Sequence, residues 1–491
     1  MKSVALHNLG CKVNAYEIEV MQQKLEKKGY KIVPFAPGAD IYIINTCTVT
    51  NIADRKSRQM LHKAKKMNPD AVVVATGCYV QTASDQGNMD PCIDLAVGNN
   101  KKKDITDILE EYFEHQRVPG AVMDISTCSE YEEMKLQKAA QHTRAYIKIQ
   151  DGCNQFCSYC VIPYARGRVR SRKEDNILDE VRGLAAAGYK EIVVTGIHIS
   201  SYGLDFLETD KNSEKRASDK DGEIREIDKD GERIASDKDG VNREADTEAE
   251  DYLTQNKDIR LRTYEKEYFL HLLQKMNEID GIERIRLGSL EPRIITQHFA
   301  EELKKITKLC PHFHLSLQSG CDTVLKRMNR HYTTEEYMER VKILRNVFDQ
   351  PAITTDIITG FPQETEEEFD CTLHFVEKIC FYEIHVFKYS RRKGTVADEM
   401  PGQIEERIKE ERSRKLLALT RQQSLKYRRQ FLLTEQEVLL EEEKTIGQET
   451  YRIGHTRQYV MAALKTTGTR ENQIISAKAV DMLNDEILLL Q

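Results

Sequence analysis

Hydrophobic and polar positions along the first third of the chain predict short buried strands separated by amphipathic helices. The predicted strands span residues 3–9, 41–45, 71–75 and 93–97. The helices span residues 16–28 and 52–66, with a further charged helix that ends near residue 115. Strands that alternate with helices of this length favour βαβ units and therefore a parallel sheet.

A second alternation of strands and helices begins at residue 144 and continues to about residue 387. Its six predicted strands span residues 144–150, 192–195, 285–287, 312–317, 352–358 and 384–387. Six such units fit an incomplete or complete α/β barrel better than an open sheet, and the sequence leaves closure open. In parallel sheets, chemistry collects beyond the carboxyl ends of the strands.

The last part of the chain reads as a charged helix over 404–430 followed by a small all-β module. Strand patterns in this module cover residues 437–441, 459–464 and 474–480. The whole chain is therefore predicted to be α/β, with a small β-barrel at its end. The predicted divisions are an N-terminal domain (1–116), a linker (117–140), a barrel domain (141–400), a helical connector (401–430) and the β module (431–491).

Residues 205–258 break the barrel pattern, because Asp-Lys-Asp-Gly recurs at 219–222, 228–231 and 237–240. A calcium loop does not fit, since the closing glutamate and the flanking helices are missing. The low-complexity, charged composition predicts a disordered surface insertion. Residues 205–262 carry 19 acidic and 12 basic side chains, which accounts for the net charge of −7 of the whole chain. The remainder is neutral overall, so an RNA partner is not excluded.

At 491 residues the chain is too long for a single hydrophobic core, which favours several domains. Since no apolar run approaches the roughly 20 residues that span a bilayer, no membrane partner is expected. The chain starts directly in a predicted strand, which favours the cytosol. Twelve cysteines in a reducing compartment indicate metal or catalytic roles rather than disulfides. Six of them show no ligand spacing and are interpreted as incidental: Cys92, Cys128, Cys310, Cys321, Cys371 and Cys380.

Cys153, Cys157 and Cys160 stand in a C-x3-C-x2-C spacing directly after a predicted strand. Three thiolates on one loop can each ligate one iron of a [4Fe–4S] cluster and leave the fourth iron open. S-adenosylmethionine could chelate that iron, and an electron from the cluster would then release a 5′-deoxyadenosyl radical. Zinc and ferredoxin sites fit less well, because structural zinc usually takes four ligands and ferredoxins use C-x2-C-x2-C.

The residues that follow, Cys-Ser-Tyr-Cys-Val-Ile-Pro-Tyr-Ala-Arg-Gly-Arg over 157–168, resemble the radical S-adenosylmethionine superfamily and, within it, the methylthiotransferase family. Residues 314–320 (HLSLQSG) and 356–362 (DIITGFP) add to this resemblance, which covers most of the chain outside the insertion and the linker. The resemblance implies that Gly196, Asp356 and Gly360 are neighbours of S-adenosylmethionine.

Cys11, Cys47 and Cys78 follow the first, second and third predicted strands of the N-terminal sheet. Parallel strands end at one edge, so the three thiols could converge on a second cluster there. The family also carries three cysteines in this domain, and the resemblance implies a second [4Fe–4S] cluster that acts as sulfur donor or carrier.

Arg166, Arg168, Arg170 and Arg172 alternate after the cysteine loop and read either as a solvated face or as contacts to RNA phosphates. Residues 454–459 (GHTRQY) resemble the TRAM domain, a small RNA-binding barrel in which aromatic and basic side chains suit stacking and phosphate contact. Tyr459 could alternatively be part of a core. His198 is interpreted as a packed or surface residue rather than a catalyst.

The resemblance implies methylthiolation of tRNA at carbon 2 of the modified adenosine 3′ of the anticodon. Residues 45–54 (NTCTVTNIAD) resemble the subfamily that acts on threonylcarbamoyl-adenosine. The alternatives are isopentenyl-adenosine in tRNA, an aspartate of a ribosomal protein, or a two-cluster electron-transfer protein with an RNA-binding module. The hypotheses in which the chain is an enzyme require an external electron donor and a sulfur source, neither of which the sequence identifies.

Overall fold

The computed structural model describes residues 2–85, 87–116, 118, 120–137, 143–207, 267–465, 468 and 471–491. The Asp-Lys-Asp-Gly repeats and nearly all of the predicted insertion lie outside the described residues. Within these residues, no helix combines the length and apolar character that crossing a membrane requires.

The N-terminal unit is a five-stranded parallel sheet with the strand order β2-β1-β3-β4-β5. Its strands are β1 (Ser3–Asn8), β2 (Lys31–Val33), β3 (Ile41–Thr46), β4 (Val72–Gly77) and β5 (Leu95–Val97). Its helices are α1 (Lys12–Lys27), α2 (Asn51–Met67), α3 (Cys78–Asp85) and α4 (Ile105–His115), with a 3₁₀ turn at Lys102–Asp104. All four predicted strands are present. The sequence pattern missed β2, because three residues at a sheet edge are too short to show a period.

The central strand β3 shows why the strands of this sheet could be predicted from the sequence. Ile41 and Ile43 pack into the core that includes Val20 of α1, whereas Tyr42 and Ile44 pack on the other face with Leu61 of α2. A parallel strand covered by helices on both faces reads as a continuous apolar run, which is what the sequence has here.

The central unit is a partial barrel whose strands are β6 (Arg144–Asp151), β7 (Arg170–Ser171), β8 (Glu191–Gly196), β9 (Arg284–Leu287), β10 (Ser289–Leu290), β11 (His312–Leu315), β12 (Ala352–Thr359) and β13 (Glu383–Lys388). They form two sheets, β7-β6-β8-β9 and β10-β11-β12-β13, which follow one another because only Gly288 separates β9 from β10. Apart from the antiparallel β7, the strands are parallel. No described pairing joins β13 back to β6, so the barrel is open and the predicted partial barrel is confirmed.

The helices of this unit cover the outside of the strands. They are α5 (Ile162–Arg166), α6 (Glu174–Ala186), α7 (267–277), α8 (Gln297–Lys305), α9 (Asp322–Arg327), α10 (Thr334–Val347), α11 (Glu366–Ile379), α12 (Val396–Glu399) and α13 (Glu406–Arg429), with 3₁₀ turns at Ile125–Thr127, Ile199–Ser201 and Pro292–Ile294. Alternate strand residues such as Ile147 and Ile192 pack beneath these helices. The residues between them, including Arg144, Glu191 and Arg286, line the inside of the barrel, which we call the lumen.

The C-terminal unit is a closed five-stranded barrel with the order β14-β15-β16-β18-β17. Its strands are β14 (Glu435–Ile446), β15 (Glu449–Thr456), β16 (Met461–Leu464), β17 (Ile474–Asn484) and β18 (Ile487–Leu490). The predicted small β-barrel is confirmed, although β15 and β18 were missed. β15 continues the hairpin from β14 through Gly447 with a polar sequence, so it shows little apolar alternation.

Candidate active site

Cys153, Cys157 and Cys160 lie on a tight loop at the carboxyl end of β6. Gly152 opens the loop with a φ of +73°, and an added Cβ there would lie 1.8 Å from the Arg168 carbonyl oxygen. The Cys153 amide donates to the Gly167 carbonyl at 3.0 Å, and the Cys160 amide donates to the Cys157 carbonyl at 2.9 Å. A side chain at position 152 would collide with the backbone of Gly167 and Arg168, so only glycine fits there. The three thiols can therefore lie close to the end of β6.

The segment after α9 supports the cysteine loop from the other side of the barrel. Asn329 Nδ2 donates to the Phe156 carbonyl at 3.0 Å, and Arg330 Nη1 donates to the Cys157 Sγ at 3.3 Å. A guanidinium beside a cysteine sulfur favours the thiolate that a metal needs. Sequence reasoning missed Arg330. The signal available in the sequence for this residue was the run of mostly basic and polar residues over 326–330.

Two cysteines of this loop, Cys153 and Cys157, are buried, and Cys160 is half-buried. Burial raises the pKa of Cys153 to about 11 and also raises the pKa of Cys160. All twelve cysteines are free in the structure. Buried thiols lose their protons readily only when a metal takes them as ligands, so this donor set fits an iron–sulfur cluster.

Cys11, Cys47 and Cys78 meet at the carboxyl edge of the N-terminal sheet, as the sequence predicted. Cys11 is the N-cap of α1 after β1, Cys47 follows β3, and Cys78 begins α3 after β4. The register pairs Thr46 with Gly77, which sets the last two cysteines side by side. A Cβ on Gly10 would lie 3.1 Å from the Cys47 Sγ, so the loop of Cys11 touches Cys47.

The spacing of both cysteine triads favours a cluster over a single ion. Among the described residues, neither triad forms a group of three ligand atoms within 4.8 Å of one another. Sulfur atoms around one tetrahedral zinc lie only about 3.8 Å apart, as bonds of about 2.3 Å require. A [4Fe–4S] cluster takes one thiolate on each of separate irons and therefore needs a wider spacing. Burial raises the pKa of Cys47 to about 12, which again calls for metal to hold the thiolate.

Arg166 connects the two cysteine triads. It ends α5, the helix directly after the Cys160 loop, and it is fully buried. Its Nη1 pairs with Glu17 at 2.8 Å and with Asp151 at 3.1 Å, and its Nη2 donates to Asn14 at 2.7 Å. Its charge also acts on Cys11 and Cys78 of the N-terminal triad.

Glu17 of α1 is the acidic centre of this contact. Lys102 reaches it at 2.5 Å and Lys148 of β6 at 2.8 Å, in addition to Arg166. Burial alone would raise the pKa of Glu17, but these cations hold it well below its usual value. The N-terminal domain and the partial barrel are therefore joined by a buried ionic network directly beside both triads.

Of the four alternating arginines, only Arg168 lies on a solvated face. The other three are buried, which excludes both a solvated face and an RNA contact for them. Arg166, Arg170 and Arg172 are at most 1% exposed. Arg172 pairs with Glu133 and Glu180, while Arg168 lies exposed over the Phe156 ring. The two predictions were wrong for the buried three, because Arg166 and Arg170 lie against Asp151 and Arg172 lies against Glu133 and Glu180.

Of the residues expected near S-adenosylmethionine, Gly196 ends β8, Asp356 lies within β12 and Gly360 directly follows β12. An added Cβ on Gly196, at the end of β8, would lie 3.0 Å from the Gln150 carbonyl. Asp356 on β12 is half-buried in the lumen, 3.3 Å from His314 Nε2 and in one group with His385. Gly360, with a φ of +70°, is packed so that a Cβ would lie 2.3 Å from Lys409 of α13.

A cavity of about 690 Å³ opens beside the cysteine loop. It is lined by Asn154, Gln155, His198, Ser200, Ser201, Leu204, Glu291, Arg293, Ile294, Thr296, His331, Glu336 and Arg340. His198 Nδ1 lies 2.7 Å from the Ser201 hydroxyl, and burial lowers the pKa of the imidazole to about 4. A neutral histidine held by a serine agrees with the interpretation of His198 as a packed residue.

Residues 454–459 face the amino ends of the barrel strands. The Tyr459 ring stacks with His455 at 4.3 Å and with His312 at 5.2 Å between ring centroids. Arg457 donates to the Thr307 and Leu309 carbonyls. These side chains therefore attach the C-terminal barrel to the partial barrel, and Tyr459 is half-buried at this contact.

Cys92, interpreted from sequence as incidental, has polar partners. Its Sγ lies 3.4 Å from His62 Nδ1, and His62 Nε2 lies 3.0 Å from Asp90. Cys92 precedes β5, so this group lies at the amino edge of the sheet, opposite the N-terminal triad.

Comparisons with known proteins agree with this architecture. Residues 147–376 match the radical SAM superfamily, and residues 3–98 match a family described as uncharacterized protein family UPF0004. A radical S-adenosylmethionine methyltransferase from Kitasatospora setae, solved with cobalamin and a [4Fe–4S] cluster, has a TM-score of 0.51 at 14% identity, covering 81% of this chain and 77% of that chain. This likeness shows the fold alone. The fold and the cysteine loop thus define a radical S-adenosylmethionine protein.

Curated relatives identify the family to which this chain belongs within the radical S-adenosylmethionine proteins. A threonylcarbamoyladenosine tRNA methylthiotransferase from Bacillus subtilis is 36% identical, covering 97% of this chain and 94% of that protein. One from Aquifex aeolicus is also 36% identical, over 85% and 87%. A tRNA-2-methylthio-N(6)-dimethylallyladenosine synthase from a Thermoanaerobacter species is 33% identical, over 86% and 78%. The chain belongs to the radical S-adenosylmethionine methylthiotransferase family, whose cofactors are S-adenosylmethionine and [4Fe–4S] clusters.

Proposed function

We propose that this chain adds a methylthio group to carbon 2 of N6-threonylcarbamoyladenosine in tRNA. Relatives with that named activity match it at 36% identity over nearly its whole length. The observation that carries the proposal is the junction of two cysteine triads at one buried arginine, Arg166. A methylthiolation needs a radical source and a sulfur site that act on the same base, and this junction provides neighbouring sites for both.

Each triad has its own role in this proposal. Cys153, Cys157 and Cys160 would hold the cluster that binds S-adenosylmethionine. Cys11, Cys47 and Cys78 would hold a second cluster at the sulfur site. When bound, the first cluster supplies the electron for cleavage of S-adenosylmethionine, and the second supplies the site at which sulfur is delivered.

Side chains of the chain position and shield these groups. Arg330 donates to Cys157 and thereby stabilises the thiolate form of this ligand. Asp356, in contact with His314, presents a carboxylate to the lumen that can accept hydroxyl hydrogen bonds. The absence of a side chain at Gly196 lets Ile199 and the Gln150 carbonyl pack closely against the end of β8, since an added Cβ would lie 2.9 Å from the Ile199 Cγ2.

The RNA partner and the cellular setting follow from this function. The substrate would be the anticodon stem–loop of tRNA, which places the protein in the cytoplasm. An external donor must supply electrons and a further source must supply sulfur. The contact of residues 454–459 with the partial barrel means that RNA would meet other faces of the C-terminal barrel.

Dimethylallyladenosine in tRNA is the second candidate substrate, since relatives with that named activity are 33% identical over 86% of this chain. The threonylcarbamoyladenosine enzyme from Bacillus subtilis is 36% identical over 97% of this chain, which favours the first substrate.

Mass spectrometry of tRNA nucleosides tests the proposal. We expect the 2-methylthio derivative of threonylcarbamoyladenosine in cells that carry the gene, and its loss when Cys157 is replaced by Ser. Cys371→Ser is the matched control, because Cys371 is exposed and outside both triads. A methylthio group found only on dimethylallyladenosine, or on no nucleoside, would refute the proposed substrate.

A further inference from the structure

Lys12 extends from the N-terminal domain into the lumen of the partial barrel. It follows Cys11 directly and begins α1, the helix that packs against β6 and β8. Its side chain remains accessible to solvent, yet its electrostatic neighbours are Arg286, Arg144, Asp356 and Glu191 on the barrel strands. Lys12 therefore lies on the concave surface between the sulfur site and the barrel.

Lys12 lacks an acidic partner in this position. Among the described residues, no carboxylate oxygen lies within 4.0 Å of its Nζ, and no hydrogen bond from it is present. The two nearby acids have other partners, since Asp356 contacts His314 at 3.3 Å and Glu191 pairs with Arg286 at 2.8 Å.

The neighbouring cations differ from Lys12 in this respect. Arg286 is paired with Glu191, and Arg144 is paired with Glu441 at 2.5 Å. Of these three lumen cations, Lys12 alone has no carboxylate within salt-bridge distance in the part of the chain that the structure describes. A solvent-accessible ammonium without a counter-charge, beside cations that are already paired, is free to bind an anionic ligand.

The proposed substrate carries an anion in a suitable place. The threonyl part of the N6 substituent ends in a carboxylate. Carbon 2 and N6 both lie on the Watson–Crick edge of adenine, on either side of N1. When the substituent is turned toward N1, it points in the same direction as the carbon that reacts, and its carboxylate then lies near the sulfur site. Lys12 is adjacent in sequence to Cys11, a residue of that site.

We propose that Lys12 binds the threonyl carboxylate of the substrate and so determines which modified adenosine the enzyme accepts. This inference rests on the proposed function. The four-carbon stem of lysine lets the ammonium follow a flexible substituent and pair with its carboxylate. A dimethylallyl group offers no counter-charge and would leave Lys12 unpaired.

Two stem–loop RNAs that differ by one charge test this role. One bears threonylcarbamoyladenosine and the other bears its carboxamide, which keeps the shape and removes the charge. We expect the wild-type protein to have a kcat/KM roughly 10 to 100 times higher on the acid, as is typical of a hydrogen bond to a charged group. Lys12→Gln should lower kcat/KM on the acid by a similar factor with little change on the amide, and Lys12→Arg should retain the preference.

Iron content and a surface control separate this role from support of the sulfur site. Lys31→Gln, an exposed lysine on β2, should keep the wild-type ratio of acid to amide. An equal loss on both RNAs, or a loss of bound iron in Lys12→Gln, would mean that Lys12 supports the neighbouring cluster and would overturn the proposal. If Lys12→Gln cannot be purified, the wild-type ratio still decides, because a ratio near one contradicts a carboxylate site.

The two failures are distinguishable. Product on both RNAs with an unchanged ratio in Lys12→Gln refutes the carboxylate site and leaves the proposed function in place. No wild-type product on either RNA refutes the proposed function, and the role of Lys12 with it.

Discussion

Both cysteine triads bring three thiols together beside strand ends, but one triad comes from a single loop and the other from three separate loops. Cys153, Cys157 and Cys160 come from one loop of eight residues, which follows Gly152 and is held by backbone hydrogen bonds from Cys160 to Cys157 and from Cys153 to Gly167. Cys11, Cys47 and Cys78 come from three loops, and only the register of β1, β3 and β4 brings them together. The first triad is a local structure placed on a barrel, whereas the second is a property of the whole sheet.

This difference implies different weaknesses. The loop triad should fail when its own backbone is disturbed, and the sheet triad should fail when strand edges move. Both depend on the network around Glu17 and Arg166, which fixes the N-terminal sheet against the partial barrel. Substitutions in one triad at a time, and then in the shared network, therefore distinguish the structure that supports a single triad from the structure that supports both.

Gly152→Ala and Gly77→Ala should have the largest effects, each on one triad. A Cβ on Gly152 would lie 1.8 Å from the Arg168 carbonyl, and one on Gly77 would lie 2.4 Å from the Thr46 carbonyl, both rigid backbone atoms. We expect each variant, reconstituted without oxygen, to lose about half of its iron, since each triad would hold one of two [4Fe–4S] clusters.

Gly188→Ala is the control for these two substitutions. Gly188 has a φ of +94° but nothing within 4 Å of an added Cβ, so it carries the backbone strain without the clash. Full iron in this variant, together with half the iron in the other two, would support the account. Full iron in Gly152→Ala would mean that the loop does not hold a cluster.

Glu17→Gln should have the next largest effect, and it should act on both triads together. The change leaves Arg166, Lys102 and Lys148 buried beside a neutral amide, which typically costs about 3–5 kcal/mol of the free energy of unfolding. Chemical denaturation measures this cost, with Glu26→Gln on the exposed face of the same helix as the control. Equal stability of the two variants would contradict a shared network.

Arg330→Gln should have the smallest effect and should be confined to the loop triad. Loss of a cation that donates to Cys157 makes reduction of the adjacent cluster harder. We expect a midpoint potential lower by on the order of 50 mV, the scale of one charged hydrogen bond. A redox titration followed by electron paramagnetic resonance can resolve the two clusters. A shift of the other cluster instead would reverse the assignment.

Local patterns predicted more of this molecule than non-local contacts did. The loop triad, the buried strands such as β3 and the order of the domains follow from spacing and apolar runs. Arg166 and Arg172 were misread because alternation alone does not tell a solvated face from a buried row of ion pairs. Glu17, the partner of Arg166, and Cys157, the partner of Arg330, are far away in sequence, so no local pattern could reveal them. Glu180 is only eight residues from Arg172, but the alternation of charges does not show that the two side chains are buried together.

The division of labour between the triads is the central claim, and one measurement tests it most directly. Two triple variants are incubated with S-adenosylmethionine, reductant and tRNA, and 5′-deoxyadenosine and methylthiolated nucleoside are both quantified. Replacing Cys11, Cys47 and Cys78 with Ala should leave 5′-deoxyadenosine formation measurable and eliminate the methylthiolated nucleoside. Replacing Cys153, Cys157 and Cys160 with Ala should eliminate both. Unchanged 5′-deoxyadenosine in the second variant, or methylthiolated nucleoside from the first, would contradict the account.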